Sequence, residues 1–383
     1  MSLHAIYSSL AGNEDLGTDV VTTATVEELV EARVDAEVAE ATAAVAEAEK
    51  EVEQMSVAIE AVEEKIEELE EQIDGMESML NGTKEYNAAL FAHQFAQASK
   101  IANRFGGEQV SVLGAESLAD AATAQLNAVA GVESFKEKVK AAATGVKNFF
   151  IKLFNSFINM VKGFFNKFQA LENRANGLAE KVGKKDKMPE KVKPAAAAGW
   201  VGADGKAPDV AGALTTLEGA MDRIVKGDVG ALSGVLNKLK GFGSASPVAA
   251  PAQGVKAFRV AVNKGELVVA IPEGAGNLAK AAVSINGVKG EVPEQDALSK
   301  EAAVKVLKEA AAAAAAFKGS KLTEKGLTAA RDKAIAEVES AEDKQHADLV
   351  KGGATAGLKA LQGVNKLGIA VIEGKIALGA AHA

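Results

Sequence analysis

A run of apolar residues at alternating spacings of three and four extends from residue 34 to residue 80 without interruption. This spacing keeps every member on one helix face, which is typical of a coiled coil or a long antiparallel helix pair. The first 188 residues contain no Pro, so the strongest helix breaker is missing from this half of the chain. The predicted seam comprises Val34, Val38, Ala41, Val45, Ala48, Val52, Met55, Ile59, Val62, Ile66, Leu69, Ile73, Met76 and Leu80.

The outer faces of this predicted helix are strongly acidic. Residues 27–77 hold 19 acids against only Arg33, Lys50 and Lys65. A well-solvated helix face is the simplest interpretation of such a run. A basic partner helix would relieve the repulsion between these acids better than self-pairing would.

A second helix with the opposite charge is predicted at residues 146–171. Seven of the 14 Phe residues lie between residues 148 and 168. At 100° per residue they share a wide apolar arc, whose candidate members are Phe149, Phe150, Phe154, Phe157, Val161, Phe164, Phe165 and Phe168. The candidate basic face consists of Lys147, Lys152, Lys162 and Lys167.

Three interpretations of this amphipathic helix remain open. It could be the core helix of a bundle, an interfacial helix at a membrane, or a helix that faces a partner or a polyanion. Residues 136–193 hold 14 bases and five acids. Because Lys dominates, contact with phosphate would be nonspecific. The acidic helix is an alternative anionic partner, within the chain or between copies.

The rest of the chain divides by composition. We predict an acidic helical region at 1–130 with the coiled coil at 34–80, a Lys- and Phe-rich region at 131–182, a linker at 183–209 and short helices at 210–240. Residues 255–383 form a predicted β-hairpin and helical module, with one turn at Asn263-Lys264-Gly265 and another at Asn286-Gly287. The predicted fold class is therefore mainly α, with long helices, an N-terminal coiled coil or helical hairpin, and a small α+β module in the C-terminal third.

Signatures of catalysis are missing from the sequence. The chain has no Cys, its four His are scattered, and no phosphate-binding, nucleophile-elbow or metal-spaced motif occurs. We therefore expect no catalytic residues, no metal, no cofactor, no small-molecule substrate and no enzymatic activity. No run of 18 apolar residues occurs either, so a membrane-spanning helix is not expected.

The sequence "VESFKEKVKAAATGVKNFFIKLFNSFINMVKGFFNKF", which follows the acidic helical region, resembles the internal head (inner-body) structural proteins of large tailed phages. The resemblance implies a propeptide that the prohead protease removes, and a mature part that stays with the packaged DNA. Cleavage in such families follows a Glu with a small or aliphatic residue two positions before it. The tripeptides that match before a Ser end at Glu77, at Glu116 (before Ser117) and at Glu133 (before Ser134).

Removal of the N-terminal region would reverse the charge of the chain. The formal net charge is −9 for the whole sequence, whereas the part after Glu133 holds 37 bases and 25 acids, a net of +12. The part after Glu116 has a net charge of +10. An acidic precursor would not bind DNA prematurely, and the basic product would tolerate dense phosphate.

These observations favour a non-enzymatic internal head protein, present in the host cytoplasm during assembly and then inside the capsid. The expected partners are other virion or assembly proteins, further copies through the coiled coil, and packaged DNA through nonspecific contact. Two alternatives remain open. One is a membrane-active helical protein, pore-forming or membrane-remodelling, that uses residues 146–171, and the other is a coiled-coil assembly scaffold.

Overall fold

The computed structural model describes residues 26–81, 88–104, 121–340 and 344–383. Within these ranges the chain is mainly helical, with a small four-stranded antiparallel sheet in its C-terminal part. The predicted fold class is thereby confirmed. One large core contains buried residues from Val45 to Leu378, so the N-terminal helix and the C-terminal elements share a hydrophobic interior.

The heptad seam belongs to a long antiparallel helix pair within the chain. Helix α1 (Val26–Asn81) and helix α3 (Ala121–Gly183) are joined through helix α2 (Ala88–Asn103). Near its start α1 approaches the end of α3, where Asp35 meets Arg174. Near its end α1 approaches the start of α3, where Glu77 meets Lys136. The pairing therefore extends along most of both helices.

A second, smaller core lies at the end of this pair where α2 packs. Its buried members come from the end of α1, from α2 and from the start of α3, and Phe95 and Phe135 lie in contact with ring centroids 4.7 Å apart. The three helices cover each other's apolar faces here, which a single helix could not do. The remaining buried members are Leu69, Ile73, Met76, Phe91, Ala98, Ala102 and Val132.

Four shorter helices begin at side-chain caps. They are α4 (Val210–Val225), α5 (Val229–Lys240), α6 (Lys300–Lys318) and α7 (Glu324–Glu339). In each case the residue before the helix accepts a hydrogen bond from a backbone N–H three positions later, which satisfies a donor that the helix cannot pair internally. These capping residues are Asp209, Asp228, Ser299 and Thr323.

The strands form two antiparallel groups. A two-residue pair joins β1 (Lys191–Val192) to β6 (Gln295–Asp296). The four-stranded sheet consists of β2 (Ser244–Val248), β3 (Val255–Val262), β4 (Gly265–Pro272) and β5 (Ala282–Val288), which are neighbours in that order. One predicted turn is present, since Asn263 and Lys264 connect β3 to β4 and Asn263 has a φ of +53°.

The second predicted turn is wrong. Asn286 and Gly287 lie inside β5, where the register against β4 shifts at Glu266. The positive φ of Gly287, +80°, therefore forms a bulge within the strand rather than a hairpin. An Asn-Gly pair suits either structure because both need a residue with positive φ.

The longest C-terminal element is helix α8 (Lys344–Ala380), which packs against helices on several sides and against β5. Its glycines make these close approaches possible. A Cβ at Gly363 would lie 2.3 Å from Val283, and one at Gly368 would lie 2.3 Å from the Phe317 ring. Helix α8, despite its many glycines, is therefore a central helix of the fold.

The structure also differs from the predicted linker at 183–209. This segment contains β1 and a 3-10 helix, Ala196–Trp200, and the Trp200 side chain is buried. A Cβ at Gly265 would lie 2.3 Å from the indole ring, so the start of β4 is shaped to receive it. Burial of this large side chain fixes a stretch whose composition is typical of a linker.

Candidate functional site

The Phe-rich part of α3 packs inside the protein. Five members of the candidate apolar face are buried, and Val161 is partly buried. Their neighbours include α1 residues such as Val52 and the α6 residue Phe317, whose ring stacks on Phe168 at 4.5 Å. The Phe149 side chain lies outside the described residues. This is the arrangement of a bundle core helix, and a membrane role would require α3 to leave that core. The five buried members are Phe150, Phe154, Phe157, Phe164 and Phe168.

Two residues at the margins of the arc differ from the sequence expectation. Phe165 is 45% exposed and lines a surface cavity, whereas Lys167 is only 5% exposed. The reason is the position of α1, which covers the margin of α3 that carries Lys167 and leaves the opposite margin uncovered. Ser156 and Gly163, which also lie on that covered margin, are buried as well.

The other candidate lysines lie at the surface of α3. Lys147 forms an ion pair with Glu339, and Lys162 pairs with Glu324 at 2.8 Å. Both acids belong to α7, so these two lysines connect α3 to that helix. Lys152 is exposed. Such exposed pairs contribute little stability because water and salt screen them.

Lys167 joins three helices. Its ammonium lies 2.8 Å from a carboxylate oxygen of Glu373 on α8 and donates a hydrogen bond to the Thr42 hydroxyl on α1. A buried ammonium is tolerated only when it is paired in this way. The basic residue that α1 covers is therefore held by α1 and α8 together.

Further ion pairs run along α1. Asp35 lies 3.2 Å from Arg174, Glu49 lies 2.8 Å from Lys366 on α8, and Glu77 lies 2.5 Å from Lys136. The acidic helix is thus paired with basic residues of the same chain, which is the intramolecular alternative that the charge pattern allowed. The hydrogen bond to Glu77, followed by that to Glu133, raises the pKa of Lys136 above its ordinary value.

Two of the three candidate processing residues meet at that lysine. Lys136 contacts Glu77 from α1 and Glu133 from its own helix, the latter at 3.1 Å. Ser134 is half-buried between the fully packed Val132 and Phe135. Both peptide bonds therefore lie in packed helix. Glu116 and Ser117 lie outside the described residues.

The spacing of small residues on α3 indicates the contact with α1, which the apolar pattern alone does not show. Ser156, Gly163 and Ala170 recur every seven residues on α3, and all three are buried. A Cβ at Gly163 would lie 2.9 Å from a Val45 methyl, so the two backbones approach closely at this point. A seven-residue repeat of small residues predicts such an approach.

Two other kinds of site have no candidates in the described ranges. No group of three or more His, Cys, Asp or Glu side chains is placed there to hold a metal ion. No helix of the same ranges is long and apolar enough to cross a bilayer.

The fold and this interface define a mainly helical protein in which an acidic N-terminal helix lies along a basic helix of the same chain. Comparison with known families then identifies the family. Residues 40–373 match the phiKZ-like phage internal head proteins, and the chain belongs to that family. No curated protein and no solved structure matches the chain.

Proposed function

We propose that the protein is a non-enzymatic structural component of the phage head interior, made as an acidic precursor and processed to a basic form. The observation that supports the proposal best is the segregation of charge along the two paired helices. Residues 27–77 hold 19 acids and three bases, and these acids lie along a helix whose partner carries Lys136, Lys167 and Arg174.

Loss of the N-terminal part after processing would reverse the sign of the net charge. Cleavage after Glu116 leaves 37 bases and 27 acids. A chain with excess positive charge gains affinity for nucleic acid because each neutralised phosphate releases counterions. The proposed DNA contact is independent of sequence, since lysine acts as a point charge and reads no base pattern.

We further propose that cleavage begins after Glu116. A protease binds its substrate as an extended segment, so a bond in a packed helix is cut only after local unfolding. Glu77 follows the fully buried Met76, and Glu133 lies between Val132, 2% exposed, and Phe135, 0% exposed. Glu116 falls between α2 and α3 in the sequence, so cleavage there cuts none of the helices that form the two cores.

The proposed protein partners are other head proteins and further copies of the chain. Location inside the head is tested by treating intact particles and osmotically opened particles with an added protease. We expect the protein to resist digestion in intact particles and to be digested once the heads are opened. Equal digestion in both samples would place it outside the capsid.

The charge argument is tested with the full-length precursor and with the protein extracted from particles. Once the N-terminal part has been lost, we expect the extracted form to bind duplex DNA, with affinity falling steeply between about 50 and 200 mM salt. The precursor should bind much more weakly at each salt concentration. Equal binding by the two forms would contradict a role for the acidic region in preventing DNA contact.

A further inference from the structure

The interface between α1 and the rest of the protein combines buried apolar contacts with specific polar contacts, as a binding site for a helix does. Val45, Val52 and Ile59 recur every seven residues and are 5–9% exposed. They belong to the large core that also contains the buried Phe residues of α3. Gly163 admits Val45 at close range. Apolar burial of this kind provides binding free energy that salt does not screen.

Polar contacts fix the position of α1 in this site. Asp35 pairs with Arg174 near one end, Thr42 accepts a hydrogen bond from the buried Lys167, and Glu49 pairs with Lys366. The three contacts come from three successive parts of α1 and reach two different helices. A shift of α1 by one turn would break all of them together.

Two of the three candidate processing positions lie within the α1–α3 pairing, and the third, Glu116, falls between α2 and α3 in the sequence. The contacts named above extend on α1 from Asp35 to Ile59 and on α3 from Ser156 to Arg174. Further along the same pairing, Glu77 and Glu133 both contact Lys136 beside the second core. Cleavage after Glu116 therefore leaves both halves of the interface whole, whereas cleavage after Glu77 or Glu133 would cut a helix within it.

We propose that the surface of α3 that faces α1, together with the Lys366 side chain of α8, is a binding site for an acidic amphipathic helix, and that α1 stays bound there after the chain is cut. This inference rests on the proposed function for its biological setting. Its consequence is that cleavage alone does not expose Lys167 or the apolar seam. Release of the acidic helix then requires a second event, such as further digestion or competition by another polyanion.

The test uses the full chain with the recognition sequence of a site-specific protease placed within residues 105–120. The folded protein is cut, cleavage is verified on a denaturing gel, and the product is run on gel filtration at micromolar concentration. We expect the two fragments to co-elute at about 0.15 M salt and also at about 1 M salt, where exposed charges are screened. Separation of the fragments at the lower salt concentration immediately after cutting would overturn the proposal.

A matched pair of variants assigns the retention to the seam. Val52 is 5% exposed, whereas Val57 on the same helix is 61% exposed. We expect Val52→Asp to release the N-terminal fragment after cutting, with dissociation at least a hundredfold faster, while Val57→Asp co-elutes like the unchanged protein. Retention of both variants to the same extent would contradict binding through this surface of α3.

A second variant keeps the test informative if Val52→Asp fails to fold. Lys366→Glu reverses one charge that pairs with Glu49 and leaves the apolar seam unchanged. We expect faster dissociation after cutting, by about tenfold, and unchanged elution before cutting. Dissociation at the unchanged rate would contradict a role for the Glu49–Lys366 ion pair in holding α1 in place. Detection of an uncut chain in particles would refute the proposed processing and leave this binding result unaffected.

Discussion

Replacement of Phe157 by Ala should destabilise the folded protein strongly. The Phe157 side chain is 0% exposed and lies in the large core. A buried Phe removes about 150–250 Å² from water, and truncation to Ala typically costs about 3–5 kcal/mol because a cavity is left behind. We therefore expect the free energy of unfolding to fall by about 3–5 kcal/mol.

Phe165 provides the matched control on the same helix. It is 45% exposed, so truncation removes about half as much buried area and leaves no enclosed cavity. We expect Phe165→Ala to cost about 1–2 kcal/mol. Urea unfolding followed by far-ultraviolet circular dichroism measures both changes. Equal costs for the two variants, or a cost below about 1 kcal/mol for Phe157→Ala, would refute the assignment of the Phe face to the interior.

Three further perturbations test other parts of the structure. Gly177→Ala should raise stability by about 0.5–1 kcal/mol, because a Cβ added to this mid-helix glycine would have no other atom within 4 Å. Gly163→Ala should instead lower stability, because Val45 occupies the space that a Cβ at Gly163 would need. Thermal melting compares the two variants. Lys167→Met should lower stability by about 2–3 kcal/mol in urea unfolding, since a buried charge loses its ion pair with Glu373 and its hydrogen bond to Thr42. A gain in stability would contradict the role given to these contacts. Hydrogen bonds, chiefly that from Lys289, lower the pKa of the Glu266 carboxyl below 4.5, so the stabilising effect of the carboxylate is present above that pH and is lost as the pH falls below it. Glu266→Gln should therefore flatten the dependence of the melting temperature on pH between about 5 and 3. An unchanged pH profile would contradict this role of Glu266.

Local patterns in the sequence predicted much of the fold. The unbroken 3-4 spacing of residues 34–80 indicates a long helix, and the alternation around Asn263 and Lys264 predicts the β3–β4 hairpin. These features depend on hydrophobic periods of about 3.6 and 2 residues, which can be recognised within a single short stretch of sequence. The helix formed by residues 146–171 follows from the same argument.

Features that depend on distant partners could not be predicted in this way. The burial of Lys167 and the exposure of Phe165 follow from which side of α3 receives α1, and the Lys167 contact with Thr42 spans 125 positions of the chain. Helix α8 was predicted only as part of the helical module at 255–383, because its glycines weaken the local helical pattern while they allow close packing. Trp200 is buried against Gly265, a contact that composition cannot reveal.

The most direct test of the central claim, that an acidic precursor becomes a basic head protein, is mass spectrometry of the chain extracted from purified particles. Trypsin cuts after Arg104 and Lys136 and at no residue between them, so one peptide, residues 105–136, contains both Glu116 and Glu133. A second peptide, residues 66–84, contains Glu77. We predict that peptide 105–136 is depleted and that a non-tryptic peptide begins at Ser117 or Ser134. Both spanning peptides at full abundance, together with the intact mass of the whole chain, would contradict the account.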